Sequence, residues 1–171
     1  LQDFKVSLPD GGNISKASYQ GLQQIWNMGQ KNPHITREEK ARGRGYASVD
    51  NTQQSLWEFI KGLDHGQKIA VSGHSLGGAL APVLGTVLAD LSTTNNQGHQ
   101  IQVLATAGPT PGDQSFINHV HSKIVDYKAT YNGIDVVPQA WIEKDLEKAP
   151  SFYLAGKNFT KTVIIKGTPV L

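Results

Sequence analysis

Apolar residues recur along this chain with two different periods, and the periods alternate. From Ile14 to Met28 the positions Ile14, Tyr19, Leu22, Ile25 and Trp26 lean to one face of a helix, which Gly29 and Pro33 close. From Val49 to Leu63 the residues Leu56, Trp57, Phe59, Ile60 and Leu63 repeat at helical spacing, with Asp50 as the expected cap. Between them, Arg37 to Tyr46 is polar, charged and broken by glycine, as in an exposed turn or short helix. Gly66 separates the second helix from a short apolar strand at Lys68–Ser72. A wide apolar face follows on Leu76, Ala79, Leu80, Val83, Leu84, Val87, Leu88 and Leu91, predicting a helix packed almost wholly against a sheet. A polar loop runs from Ser92 to Gly98, and Gln100–Thr106 is the next strand. The rigid loop Gly108-Pro109-Thr110-Pro111-Gly112 leads to Asp113, a helix cap, and a helix to about Ile124. Val125–Tyr131 is a strand closed by Asn132-Gly133. Pro138 to Pro150 is loop with at most one helical turn, and Lys161–Lys166 is a late strand.

Strands that alternate with helices predict an α/β fold with a mostly parallel sheet, whose functional groups gather at the carboxyl ends of the strands. At 171 residues the chain fits a single domain over residues 1–171. Sixteen basic and fourteen acidic residues leave a net charge of +2 without any basic run, which points away from nucleic acid and anionic membrane surfaces. The absence of cysteine excludes disulfides and thiolate metal sites but leaves the compartment open. No apolar run approaches membrane-spanning length, and no signal peptide is legible. His119 and His121 alternate near the end of a helix and read as surface residues, since no third ligand is spaced to complete a metal site. Neither metal nor cofactor is expected.

The chemistry concentrates in Gly73-His74-Ser75-Leu76-Gly77, set between the strand at Lys68 and the long apolar helix. Gly-x-Ser-x-Gly in that context is a nucleophile elbow, the turn that holds a serine hydroxyl at the rim of an α/β-hydrolase sheet. Gly73 and Gly77 are expected where a Cβ would strike the neighbouring strand or helix. The Leu76 N–H, at the helix N-terminus, can face a developing oxyanion. An ordinary serine in a glycine-rich connection is the plainer alternative.

A serine nucleophile needs a histidine base, and the base needs a carboxylate to orient it; in this fold the chain order is Ser, acid, His. Asp135 is the best acid, just past a strand in Asn132-Gly133-Ile134-Asp135-Val136-Val137-Pro138, although a turn aspartate capping its own backbone would look the same. Asp113, Asp126, Glu143, Asp145 and Glu147 are weaker, being helical, strand-borne or set in a charged stretch. The six histidines, His34, His65, His74, His99, His119 and His121, all precede Asp135. His74 points away from its neighbour Ser75, and His65 and His99 fall at the amino-terminal ends of strands. No histidine of the sequence is assigned as base.

Three motifs in order carry a family resemblance over about residues 15 to 140. Ile69–Ala81, the loop Ala105–Asp113 and Ile134-Asp135-Val136-Val137-Pro138 resemble the serine motif, the Phe-Gly-x-Pro-x-x-Gly loop and the Asp-x-Val-Pro acid motif of the class 3 (fungal-type) triacylglycerol lipases. Ala17-Ser18-Tyr19-Gln20-Gly21-Leu22 is similar to that family's Val-His-x-Gly-Phe segment, with Tyr for the usual His. The resemblance implies hydrolysis of acylglycerol esters through an acyl-enzyme on Ser75, at a lipid–water interface and in an extracellular setting. Feruloyl esterases and some phospholipases share these motifs. The family's Phe-Arg-Gly-Thr strand, helical lid and C-terminal histidine loop are not found, and Leu1–Phe4 looks like the segment after the lid. The expected chain is therefore a central piece of a lipase domain, poorly active alone. The competing reading is a non-catalytic relative that binds lipid or a partner.

Overall fold

The computed structural model describes residues 5–8, 11–28 and 55–139 and the single positions 144, 147 and 151. The expected Asp50 cap, the 37–46 segment, the strand at 161–166, Leu1–Phe4, His34, Glu143 and Asp145 lie outside the described residues. Two sheets are present among them. The strands β1 (Lys5–Ser7) and β2 (Asn13–Ser15) form an antiparallel pair. The strands β3 (Lys68–His74), β4 (Gln100–Thr106) and β5 (Asp126–Thr130) form a parallel sheet in the order β3-β4-β5. In register, His74 lies beside Thr106, and Thr106 beside Thr130, so all three strands end on one line.

The first helix, α1 (Lys16–Trp26), begins two residues later than its apolar pattern predicts. Ser15 sets the start: its Oγ accepts the Ser18 N–H at 3.0 Å. Ile14, expected in the helix, instead pairs with Val6 in β2, bridges to Gly112 and is buried in the core. A similar shift occurs in α2 (Leu56–Lys61), which starts well inside the predicted 49–63 span. Ser55 and Glu58 form a reciprocal capping box: the Ser55 N–H donates to Glu58 Oε2 at 2.7 Å, and the Glu58 N–H to Ser55 Oγ at 3.3 Å. The backbone bond from Ser55, helped by its hydroxyl, holds the Glu58 carboxyl below the usual carboxylate range.

The central helix, α3 (Leu76–Thr94), is the core of the fold. It extends through Ser92, Thr93 and Thr94, which read as loop in the sequence, and ends where Asn95 caps the Leu91 carbonyl with both its backbone and side-chain N–H groups. By length and composition it could cross a membrane, contrary to the expectation that no apolar run approaches that length. It is instead mostly buried: Val83, Leu84, Leu88 and Ala89 pack with Ile101 and Val103 of β4. A Cβ on Gly85 would meet Val103 Cγ2 at 2.4 Å, so helix and strand touch at the distance only glycine allows. Leu76, expected on this buried face, is exposed at the helix start.

The last described helix, α4 (Gln114–Lys123), adds Phe116 and Val120, with Ile124 just beyond, to the same core. All this packing lies on one face of the sheet. The other face carries Ala70, Ser72, Gln102 and Lys128, all exposed, and among the described residues no helix covers it. His119, read as a surface residue, is instead half-buried: its Nε2 meets Asp90 Oδ2 at 2.9 Å, while Lys123 Nζ meets Oδ1 at 3.0 Å, tying α4 to α3. His121 remains exposed and meets the Tyr127 ring edge-on, and burial pushes the Tyr127 hydroxyl pKa upward.

Asp113 does more than cap α4. Oδ1 accepts the Phe116 N–H at 2.9 Å and the Asn13 N–H at 3.1 Å, and Oδ2 accepts Asn13 Nδ2 at 2.6 Å. The Asp113 N–H returns a bond to the Asn13 carbonyl. One carboxylate thus fastens β2 to the start of α4 across a hundred residues. Asp113→Ala removes a helix cap and a charge-assisted pair together. It is expected to lower unfolding free energy by about 2–4 kcal/mol. Urea denaturation checks this, and a loss under about 0.5 kcal/mol would show that the clasp is replaceable by water.

Candidate active site

Ser75 is where β3 becomes α3, and its backbone stands at φ 55°, ψ −120°. A side chain with that φ is strained, on the order of 1–3 kcal/mol, and persists only when its surroundings impose it. Here they do. The Ser75 N–H donates to the Thr106 carbonyl at 2.9 Å, and the Ser75 carbonyl accepts from the Gly78 and Ala79 N–H groups at 2.8 and 3.2 Å. The serine is bonded to β4 on one side and to the first turn of α3 on the other. Its side chain makes no capping bond to that helix, leaving the hydroxyl at the carboxyl rim of the sheet.

Two glycine contacts close the turn. A Cβ on Gly73 would lie 2.0 Å from the Gly77 carbonyl oxygen, so this position must be glycine. Gly77 differs from its expectation: a Cβ there would meet nothing within 4 Å, because its carbonyl, not its Cα face, approaches the strand. The second close contact was not legible in the spacing. A Cβ on Gly78 would come within 2.8 Å of Gly108 Cα, and one on Gly108 within 2.5 Å of the Gly78 carbonyl carbon. The first turn of α3 and the loop after β4 therefore touch backbone to backbone. The Gly-Gly pair in Ser-Leu-Gly-Gly-Ala, together with Gly108, is the signal that could have revealed it.

Since Gly78 and Ala79 close on the Ser75 carbonyl, the first-turn donors left over are Leu76 and Gly77. The Leu76 N–H, directly after the serine, sits at the positive end of α3. The Leu76 side chain is 61% exposed.

The same edge continues across the sheet. The Ala107 N–H donates to the Thr130 carbonyl at 2.8 Å, and Ala107 itself has φ 49°. The loop from β5 then carries Asp135. Its N–H bonds the Asn132 carbonyl at 2.9 Å, and its Oδ1 accepts the Val137 N–H at 3.0 Å. This is an Asx turn, the alternative weighed for this residue, and it fixes the carboxylate through one oxygen. The ends of β3 and β5 lie two strand spacings apart, on the order of 10 Å.

Other candidates are drawn into structural work. Asp113 is the clasp described above, and Asp126 is bonded to Gln102 and paired with Lys128 on the exposed face. Glu147 is exposed. Among the histidines, His74 is exposed at the end of β3, His65 is exposed before β3, and His119 is held by Asp90. His99 is buried just before β4, on the opposite edge from Ser75, its ring nitrogens without a hydrogen-bond partner among the described residues. Among the described residues no three His, Cys, Asp or Glu side chains gather as a metal would require.

Residues 4–144 match the family described as Lipase (class 3). Among solved structures, M37 lipase superposes with a TM-score of 0.70 at 25% identity, covering 90% of this chain and 43% of that one. Lipase II from Rhizopus niveus superposes with a TM-score of 0.51 at 18% identity, covering 82% of this chain and 44% of that one. No curated protein matches. The chain spans less than half the length of these lipases. The parallel sheet flanked by helices is an α/β-hydrolase fold. From the elbow at Ser75 to the loop at Asp135, the chain belongs to the class 3 lipase family.

Proposed function

We propose that the chain carries the nucleophile and the acid of a serine carboxylic-ester hydrolase acting on acylglycerols. The observation that carries this reading is Ser75 at φ 55°, held at the N-terminus of α3 with its hydroxyl outside any cap. A structural serine has no need of that conformation, whereas a nucleophile aimed past a helix N-terminus does.

In the proposed reaction, Ser75 Oγ attacks the ester carbonyl as its proton passes to a histidine. The carbonyl oxygen becomes an oxyanion that the Leu76 N–H, at the helix N-terminus, stabilises. Collapse of the tetrahedral intermediate breaks the ester C–O bond, and the histidine returns the proton to the leaving alcohol. Water, deprotonated by the same histidine, then frees the fatty acid from Ser75. Asp135 orients the imidazole through the carboxylate oxygen opposite the one held by Val137. Among the described residues no histidine is hydrogen-bonded to Ser75 or Asp135, so the base in this proposal is a histidine outside them. The apolar rim supports an acyl substrate at a lipid–water interface: Leu76, Tyr131 and Ile134 are 61%, 63% and 54% exposed, the first at the elbow and the other two in the stretch just before Asp135.

In the full-length protein a fluorophosphonate probe is expected to label Ser75, and Ser75→Ala to abolish labelling. Absence of labelling, or labelling that survives the substitution, would leave the non-catalytic binding reading in its place. Asp135→Asn keeps the shape of the turn but removes the charge that stabilises the imidazolium. It is expected to reduce kcat about 10⁴-fold with little change in KM, by analogy with the serine-protease acid. A kcat within about tenfold of the parent would remove Asp135 from the triad.

A further inference from the structure

The acid turn has a fastening of its own. Gln139 follows Pro138 at the end of the Asp135 loop, and its side-chain amide turns back across it. Gln139 Nε2 donates to the Gly133 carbonyl at 2.9 Å and to the Asp135 carbonyl at 3.2 Å. One amide group thus uses both of its hydrogens on the loop backbone, at Gly133 two residues before Asp135 and at Asp135 itself. We infer that Gln139 is a positioning residue for the acid, an inference that rests on the ester-hydrolase reading above.

The Gln139 amide bridges two turns that meet at Asp135. Residues Asn132, Gly133 and Ile134 are exposed and Asp135 is only partly buried, so packing does little to hold the segment. Its backbone includes two short turns. In the first, the Asp135 N–H bonds the Asn132 carbonyl and the Ile134 N–H bonds Asn132 Oδ1. In the second, the Gln139 N–H bonds the Val136 carbonyl at 3.1 Å. Asp135 is the junction between them, and a junction between two independent turns can pivot. The Gln139 side chain joins the second turn to the first on both sides of the Asp135 peptide unit. With the backbone so held, the Val137 bond to Oδ1 fixes the carboxylate plane relative to β5. The other carboxylate oxygen then has a defined direction for an imidazole N–H. Misplacement of about 1 Å at such a group costs on the order of a hundredfold in rate, so small pivoting matters.

Three variants in the full-length protein test this. Gln139→Ala removes both donors, Gln139→Glu keeps the shape but turns a carboxylate on two carbonyls, and Gln139→Lys keeps a donor. The Asp135 and Val137 amides should exchange with solvent about tenfold faster in Gln139→Ala and Gln139→Glu, with β4 amides unchanged. The kcat on a soluble short-chain ester should fall about ten- to a hundredfold while KM stays within about twofold and the melting temperature barely moves. Gln139→Lys should recover part of both effects. Unchanged loop exchange would overturn the clamp, and so would faster exchange with kcat unaltered. If the parent protein itself fails to react at Ser75, the hydrolase reading fails, and the exchange rates alone still judge whether Gln139 holds the turn.

Discussion

The structure depends on one strained residue. Ser75 must leave β3 and enter α3 within a single step, and it does so at φ 55°, where a side chain is disfavoured by on the order of 1–3 kcal/mol. That strain cannot be held by Ser75 alone. It is imposed because both neighbouring elements are fixed elsewhere: β3 by its parallel ladder with β4, and α3 by Val83, Leu84 and Leu88 buried against that sheet. Each such side chain contributes about 1.5–3 kcal/mol of burial, so a few of them outweigh the turn. The close approaches Gly73–Gly77 and Gly78–Gly108 transmit this packing to the serine, because nothing larger fits between the backbones.

From that point the site is laid out by the sheet rather than by side-chain contacts. The bonds from Ser75 to Thr106 and from Ala107 to Thr130 step across three strand ends in register. The ends of β3 and β5 are thereby held two strand spacings apart, and Asp135 follows five residues beyond the end of β5. The rigid half of the site is the elbow, anchored in the core. Asp135, the acid of the proposed reaction, sits on a more exposed loop crossed by hydrogen bonds within residues 132–139.

Local chemistry was legible in the sequence where one element decided the outcome. The strand Gln100–Thr106 and the Asp113 cap stand where the pattern predicts them, because alternation and cap chemistry act within a few residues. The start of α2 was missed although Ser55-x-x-Glu58 spells it, since the apolar spacing drew the helix farther upstream. What one stretch of sequence could not reveal were meetings between distant segments. Asn13 with Asp113, Asp90 with His119, and Gly78 with Gly108 are each separated by tens of residues and become neighbours only once the sheet forms. The role of Gly77 was misjudged for the same reason: whether a Cβ would clash depends on which way the helix leaves the strand.

The central claim is that Ser75 is held in a conformation that only its surroundings make tolerable. Comparing the unfolding free energies of Ser75→Gly and Ser75→Ala tests this most directly, since neither variant retains the hydroxyl. Glycine in place of alanine costs about 0.4–1 kcal/mol through the unfolded chain, while release of the positive-φ strain returns on the order of 1–3 kcal/mol. The account predicts that Ser75→Gly is the more stable of the two by on the order of 1 kcal/mol. A Ser75→Ala variant as stable as Ser75→Gly, or more so, would contradict it.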